Sequence, residues 1–346
     1  MMTSYVRRGG VLALAALCWL AALLVGLVPA HAVEVPADAA AQVQQQQAQP
    51  LNNAPVWREV RSGESHFTLA RGPEAGVLIQ SEGNTWRALR NGPVTQIGGW
   101  ALLLVPTAIL LFWKLKGTMR LHDKPTGRLM KRFSGFERFA HWGTAITFVL
   151  LALTGVAILF GKYVLAPVFG HAFLSWVLTL GKLVHNYVGP VFGVFVLIMI
   201  GTFLRDNVWQ ACDAIWIRKA GGLLGGDHVP SSRFNFGEKT WFWFGVTFLG
   251  LTVTISGLFM DFPNLGWTRS DMHIANLVHA IGALVLLAAS FGHIYMGTIG
   301  VEGAYQSMKT GYVDETWARE HHEYWYDDVK AGKSGHPQDS VSGARV

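Results

Sequence analysis

The chain has 346 residues, 51% hydrophobic and only 14% charged, with a mean hydropathy of +0.30. About 25% charge is usual in soluble domains, so a purely soluble protein is excluded, and 20 Phe with 14 Trp exclude disorder throughout. The net charge of +6 has its explanation in loops that fix a membrane topology, so no nucleic-acid partner is expected; two Cys are too few for a metal cluster or disulfide framework, which leaves 13 His as the chemical resource.

Arg7 and Arg8 precede an apolar run from Val11 to Val28 that ends in Pro29-Ala30-His31-Ala32. That order of charge, apolar core and small-residue site predicts a signal peptide over 1–32. Residues 33–96 read as a periplasmic segment: a polar linker through Gln44–Gln47 to 55, then a small ordered element with Trp57 and Trp86, expected to be a hairpin. It is too short for a large core of its own, so it is expected to pack on a partner subunit outside.

Five apolar stretches follow, at 97–113, 139–160, 185–204, 241–260 and 274–300, each near the ~20 residues that cross a bilayer. The run 172–180 reads as an interfacial segment or helix lead-in. Loop 114–138 is strongly basic (Lys114, Lys116, Arg120, Lys124, Arg128, Lys131, Arg132, Arg138), and 205–240 carries Arg205, Arg218, Lys219, Arg233 and Lys239. The alternating loops hold only Lys162 and Lys182, then Arg269. Positive-inside asymmetry therefore puts 114–138, 205–240 and the tail 301–346 in the cytoplasm. The expected location is the bacterial inner membrane, with contact to lipid all round.

Ionisable residues inside spans read as functional. Four are histidines: His141, His185, His279 and His293. His141 lies near the cytoplasmic end of its span and His185 near the outer end of the next. His279 and His293 share one helix, 14 residues apart, which is about 21 Å along the axis and within about 40° of one face. Depth pairs His185 with His279 and His141 with His293. Two stacked bis-histidine pairs in a helical bundle suit two b hemes, with no open iron site. Gly189, Gly193, Gly282 and Gly297 on or near these faces read as room for a flat macrocycle, although small residues also mediate helix packing. No Cys-x-x-Cys-His occurs, so covalent attachment is excluded. His171 and His273 read as interfacial; His122, His228, His321 and His322 read as solvated cytoplasmic residues, and Cys212 as a residue without a role.

Several motifs sit on and beside these spans. They are Arg138-Phe139-Ala140-His141-Trp142, Leu183-Val184-His185-Asn186-Tyr187-Val188-Gly189, Phe234-Asn235-Phe236-Gly237-Glu238-Lys239 before Trp241-Phe242-Trp243, Val278-His279-Ala280, His293-Ile294-Tyr295-Met296 and Trp317-Ala318-Arg319-Glu320-His321-His322-Glu323-Tyr324-Trp325-Tyr326. Over roughly 132–328 the chain resembles the gamma subunit of respiratory formate dehydrogenase, a di-heme membrane cytochrome b. The resemblance implies an all-α membrane protein: a four-helix transmembrane di-heme bundle (139–300) with one additional N-terminal transmembrane helix (97–113) and a signal peptide. It implies two heme b groups on His141, His185, His279 and His293, and a quinone, menaquinone or ubiquinone, beside the inner heme.

The resemblance also implies partners: an iron–sulfur beta subunit and a molybdenum or tungsten catalytic alpha subunit. The chain itself would not process formate, since it carries no selenocysteine and no cluster cysteines. The family's quinone motif is Asn-x-Gly-Gln. Asn235 and Gly237 match it, while Glu238 stands in place of Gln; it is either a carboxyl that exchanges the quinone proton or a surface residue at a span entrance. Cytochrome b subunits of NiFe hydrogenase or thiosulfate reductase share the histidine spacing, and a heme-free transporter or plain membrane anchor are readings of another class. A reduced-minus-oxidised spectrum separates the classes.

Overall fold

The computed structural model describes residues 44, 48, 54–62, 81–222, 229–336 and the strand 340–345. The expected signal peptide and most of the polar linker lie outside these. Among the described residues four helices are long and apolar enough to cross a membrane, and the chain is a multi-pass, mostly helical membrane protein.

Helix α1 (Ala54–Ser62) and helix α2 (Ser81–Leu89) open the described structure. The middle of the expected hairpin, 63–80, lies outside the described residues; the described parts on either side are helical, and α2 runs through a π-turn at Arg90–Val94 into the apolar α3 (Thr95–Lys116). A short strand, β1 (Arg128–Lys131), precedes α4 (Gly135–Phe203). At 69 residues, a straight α4 would be about 100 Å long, some three bilayer cores. It breaks instead at Gly170 (φ +83°, ψ 168°), a conformation reserved for glycine. The limbs 135–169 and 171–203 then pack antiparallel: Phe139 meets Phe195, Phe148 meets Phe192, and Thr154 meets His185. One helix thus supplies two spans, and 172–180 is the lead-in to the second.

After the short α5 (Ala211–Arg218), α6 (Phe236–Thr240) passes through a π-helical stretch at Trp241–Leu249 into α7 (Gly250–Asp261). The last span is α8 (Arg269–Tyr295), extended by a π-turn to Gly300. Three of these helices start on reciprocal capping boxes, Ser134/Glu137, Asn235/Glu238 and Thr268/Asp271. Each box satisfies two backbone donors that a helix start leaves free. The α6–α7 span lies antiparallel to α8. Gly282 lets Val253 approach, and Gly193 on the second limb of α4 does the same for Thr254. These two glycines serve helix packing, which corrects the reading of them as macrocycle space.

α3 lies parallel to α8, with Gly98 against Leu284 and Phe112 edge-on to Tyr295. Further out, Trp86 of α2 stacks on His273 (4.8 Å, 13°) and donates to Asn276 Oδ1 at 3.1 Å. Trp86 therefore has its partner on this chain, whereas Trp57 is exposed.

The tail folds back over one end of the bundle. Its elements are α9 (Ala304–Thr310), β2 (Tyr312–Asp314), α10 (Glu315–His321), α11 (Glu323–Lys330) and β3 (Ser340–Arg345). Strands β2 and β3 flank β1 in an antiparallel sheet of order β2–β1–β3, with Met130 opposite both Val313 and Val341. Met130, Val313, Trp317, Ala318, Trp325 and Val329 form a small core there. This sheet was not expected. Its strands are three to six residues long and pair across most of the chain.

Candidate functional site: two histidine pairs in one bundle

His141 and His293 face each other with ring centroids 6.2 Å apart; His185 and His279 do so at 6.0 Å. His141 and His185 come from the two limbs of α4, and both their partners come from α8. An imidazole–metal bond of about 2 Å plus about 1.1 Å from ring nitrogen to ring centre puts two trans imidazoles about 6.3 Å apart. Both pairs fit a single iron between them.

Hydrogen bonds fix the tautomers of the pair nearer Trp86. Thr154 Oγ1 gives its proton to Leu150 O (2.8 Å), so at 2.8 Å it accepts from His185 Nδ1. Val253 O can only accept, so His279 Nδ1–H donates to it at 2.9 Å, and Ser256 Oγ lies 3.2 Å away. Each ring is left with Nε2 as its free base, the usual arrangement behind a metal-ligating histidine. In the other pair, His141 Nδ1 is buried without a hydrogen-bond partner among the described residues. Trp241 stacks flat on His293 (4.7 Å, 8°), and Trp142 stands edge-on to His141 (5.2 Å, 89°).

Glycines flank both pairs. A Cβ on Gly189, Gly292 or Gly297 would meet nothing within 4 Å, whereas one on Gly257 would meet His279 Cε1 at 3.2 Å and one on Gly155 would meet His185 Cε1 at 3.3 Å. Gly189 and Gly297, one turn beyond His185 and His293 on the same helices, face open space, and Gly257 and Gly155 let a neighbouring backbone close on the rings.

Asn235, Gly237 and Glu238 lie together at the start of α6, one turn before Trp241. Asn235 Oδ1 accepts from Glu238 N (3.0 Å) and Glu238 Oε2 accepts from Asn235 N (2.9 Å). Gly237 leaves a Cβ only a tight fit, because the Trp216 indole would lie 3.1 Å from it. Glu238 is not a plain surface residue: it is half-buried, and Arg132 Nη2 pairs with it at 3.1 Å. Arg132 is itself buried among Phe133, Trp317 and Phe234, its guanidinium 4.8, 5.0 and 5.6 Å from the ring centres.

Beside it Arg233 donates to Asp206 (2.6 Å) and Glu137 (2.9 Å), and His336 Nε2 meets Asp206 at 2.7 Å. The donor atoms of Glu137, Asp206 and His336 lie close enough to hold a cation, but Arg233 already pairs with both carboxylates. Burial pushes the Asp206 carboxyl up; the His336 hydrogen bond and the Arg233 charge outweigh it and hold it below the usual carboxylate range.

His322 overturns its reading as a solvated residue: it is 1% exposed. Nδ1–H donates to Ser232 O at 2.7 Å, and Nε2 lies 3.9 Å from Glu238 Oε2. Burial, then the charge of Arg132, holds its pKa well below the ordinary histidine value, so the ring is neutral. Sequence reasoning also missed Thr154, Ser256, Arg132 and Arg233. Polar residues inside apolar spans were the available signal for the first two; the arginines looked like ordinary positive-inside charge.

Fold and site together define a class: a multi-pass helical membrane protein with two facing histidine pairs in one bundle. The family described as prokaryotic cytochrome b561 matches residues 132–311, and the chain belongs to it. Membership implies heme b. The chain is 27% identical over 208 residues to the formate dehydrogenase cytochrome b556(fdo) subunit of Escherichia coli (strain K12), covering 58% of this chain and 92% of that protein. It is 24% identical over 213 residues to the nitrate-inducible formate dehydrogenase cytochrome b556(Fdn) subunit of the same strain (60% and 94%). A formate dehydrogenase cytochrome b556 subunit of Haemophilus influenzae is 26% identical over 205 residues (57% and 82%). Helices α1–α3 precede the matched region.

Proposed function

We propose that this chain is the membrane cytochrome b subunit of a formate dehydrogenase complex in the bacterial inner membrane, taking electrons from an iron–sulfur partner and delivering them to quinone on the cytoplasmic side. The observation that carries it is the pair of facing histidines at each of two depths, each spaced for one iron. The chain's likeness to formate dehydrogenase cytochrome b556 subunits supports the complex, with iron–sulfur and molybdenum or tungsten catalytic subunits as the proposed partners.

His185 and His279 would hold the outer b heme and His141 and His293 the inner one. Bound there, two low-spin hemes supply reversible one-electron transfer across the bilayer. The chain's own groups do the rest. Thr154, Ser256 and the Val253 carbonyl aim Nε2 of the outer ligands. Trp241 fixes the plane of His293. Gly189 and Gly297 keep the neighbouring space clear.

Asn235, Gly237 and Glu238 would form the quinone site. Reduction of quinone to quinol takes up two protons with two electrons, and Glu238 is the carboxyl in place to pass a proton from the cytoplasm. Arg132 pairs with it at 3.1 Å and holds its carboxylate in place.

The test is a reduced-minus-oxidised visible spectrum with a pyridine hemochrome count. Two b hemes per chain are expected, one per chain in His293→Ala, and formate oxidation by the complex with an artificial acceptor should survive that change. A spectrum without b-type bands would overturn the reading.

A further inference from the structure

The segment joining the second limb of α4 to α6 carries apolar side chains that nothing in its own loop covers. Val208 and Trp209 are 57% and 59% exposed, and Ile215 and Ile217 on α5 are 41% and 45% exposed. One face of α5 is fixed to protein: Cys212 and Asp213 are buried, and Lys239 Nζ meets both Asp213 oxygens at 3.1 and 2.8 Å. Ile215 and Ile217, two residues apart, emerge at the two edges of that face, with Ala211 and Arg218 exposed between them and Arg205 and Lys219 close by in the chain.

The level of this segment follows from its neighbours. It begins where a span ends, at Phe203, and packs against the start of the next. Trp243 Nε1 donates to Asn207 O at 2.8 Å, and Phe236 is edge-on to Trp209 (5.8 Å) and tilted against Trp216 (6.0 Å). Water-facing helices do not present two isoleucines, a valine and a tryptophan together, whereas interfacial helices do, with basic residues at the headgroups. The cationic flanks match an anionic leaflet.

We propose that α5 with Val208 and Trp209 lies in the lipid leaflet on the tail side. Its aromatic cluster, Trp209, Phe236 and Trp216, is then the membrane-side doorway to Asn235. Trp216 is held between Gly221 (φ +63°), where a Cβ would lie 2.3 Å from it, and Gly237, where a Cβ would lie 3.1 Å from it. The doorway is therefore a fixed wall, and the glycine of the Asn-x-Gly motif is what lets it stand against α6. Lipid-dissolved quinone would reach the motif along this wall without passing through water; this second part rests on the function proposed above.

The experiment uses the full chain in nanodiscs of phosphatidylethanolamine and phosphatidylglycerol. Nitroxide labels are placed on Ile215→Cys, Ile217→Cys and, as a water-facing control, Asp328→Cys, all in a Cys18→Ser/Cys212→Ser background. Oxygen should relax the labels at 215 and 217 more than a water-soluble nickel chelate does, with the reverse at 328. Labels at 215 and 217 that respond like 328 overturn the leaflet placement.

A second arm follows re-oxidation of the dithionite-reduced cytochrome by added quinone. Ile215→Glu/Ile217→Glu should slow re-oxidation by a long isoprenoid quinone several-fold and leave that by a short-chain soluble quinone, and the visible bands, unchanged. Equal rates with the long quinone overturn the doorway. Absence of b bands in the unmodified chain would instead sink the proposed function, and the labelling result would stand without it.

Discussion

The indole of Trp241 lies on the imidazole of His293, centroids 4.7 Å apart and planes 8° from parallel. Trp241 opens the π-helical stretch that follows Glu238, so one turn of chain links the Asn235–Glu238 capping box to a ring of the inner pair. Such a contact fixes imidazole orientation and is worth about 1 kcal/mol beyond burial. Trp241→Ala should shift the midpoint potential of the His141/His293 centre in a redox titration and leave the other centre where it was. Trp241→Phe should restore most of the native value. A shift shared equally by both centres would mean that the stack only supports the bundle.

Gly170 turns one 69-residue helix into two spans. Its φ of +83° with ψ of 168° is closed to residues with a Cβ, and forcing one there costs on the order of 1–3 kcal/mol. Nothing lies within 4 Å of its missing Cβ, so strain and not collision is the whole effect. Gly170→Ala should destabilise the fold by that amount and so lower the thermal midpoint in detergent, while Gly201→Ala, also without a neighbour within 4 Å but inside the helix, should leave the midpoint level or raise it.

His322 is buried and neutral, with Arg132 and Arg233 adding to the depression of its pKa and the Ser232 hydrogen bond opposing it. The unfolded chain takes up a proton near pH 6.5, and the folded chain resists until well below that. Between these values the unfolded state holds more protons, so stability falls as pH drops. The contribution is fully present above about pH 6.5. Thermal midpoints measured from pH 8 down to 5 should decline in the lower half of that range for the native chain. His322→Asn, which keeps a donor for the Ser232 carbonyl, should decline less; parallel curves would remove His322 from the acid response.

The bundle was legible because its physics is local. Apolar runs of bilayer length and alternating loop charge give the spans, and a helix's fixed rise gives the depth of each histidine, which is why the two proximities were within reach before any coordinates. The Asn235–Glu238 box carries the ordinary start pattern of a helix, although its resemblance to a quinone motif drew the eye first. The tail was illegible for the opposite reason. Leu129 pairs with Asp314 and Arg132 reaches Glu238, contacts between residues more than 100 apart that no window of sequence displays. His322 looked solvated because its immediate neighbours in sequence are polar; the groups that close over it come from far along the chain, with Ser232 O accepting from Nδ1 at 2.7 Å and the charge of Arg132 felt at the ring. Glycines failed in a third way: Gly189 and Gly193 fall one turn apart on the same helix, and periodicity cannot say which of them faces a neighbouring helix.

That difference gives a sharp test. Gly189 has nothing within 4 Å of a Cβ, and Gly193 meets Thr254 on α7. A leucine at 189 would fill space beside His185, so it should compete with the outer heme: one b heme per chain by pyridine hemochrome, with the fold intact by circular dichroism. A leucine at 193 would push α7 off the second limb of α4, and overpacking of this kind costs about 1–3 kcal/mol. That variant should melt earlier with both hemes lost together on heating. Gly297→Leu is the counterpart at the other pair and should leave the outer heme while displacing the inner one. If Gly189→Leu and Gly297→Leu each retained two hemes, the open space beside these glycines would have no part in cofactor binding, and the histidine pairs alone would carry the assignment.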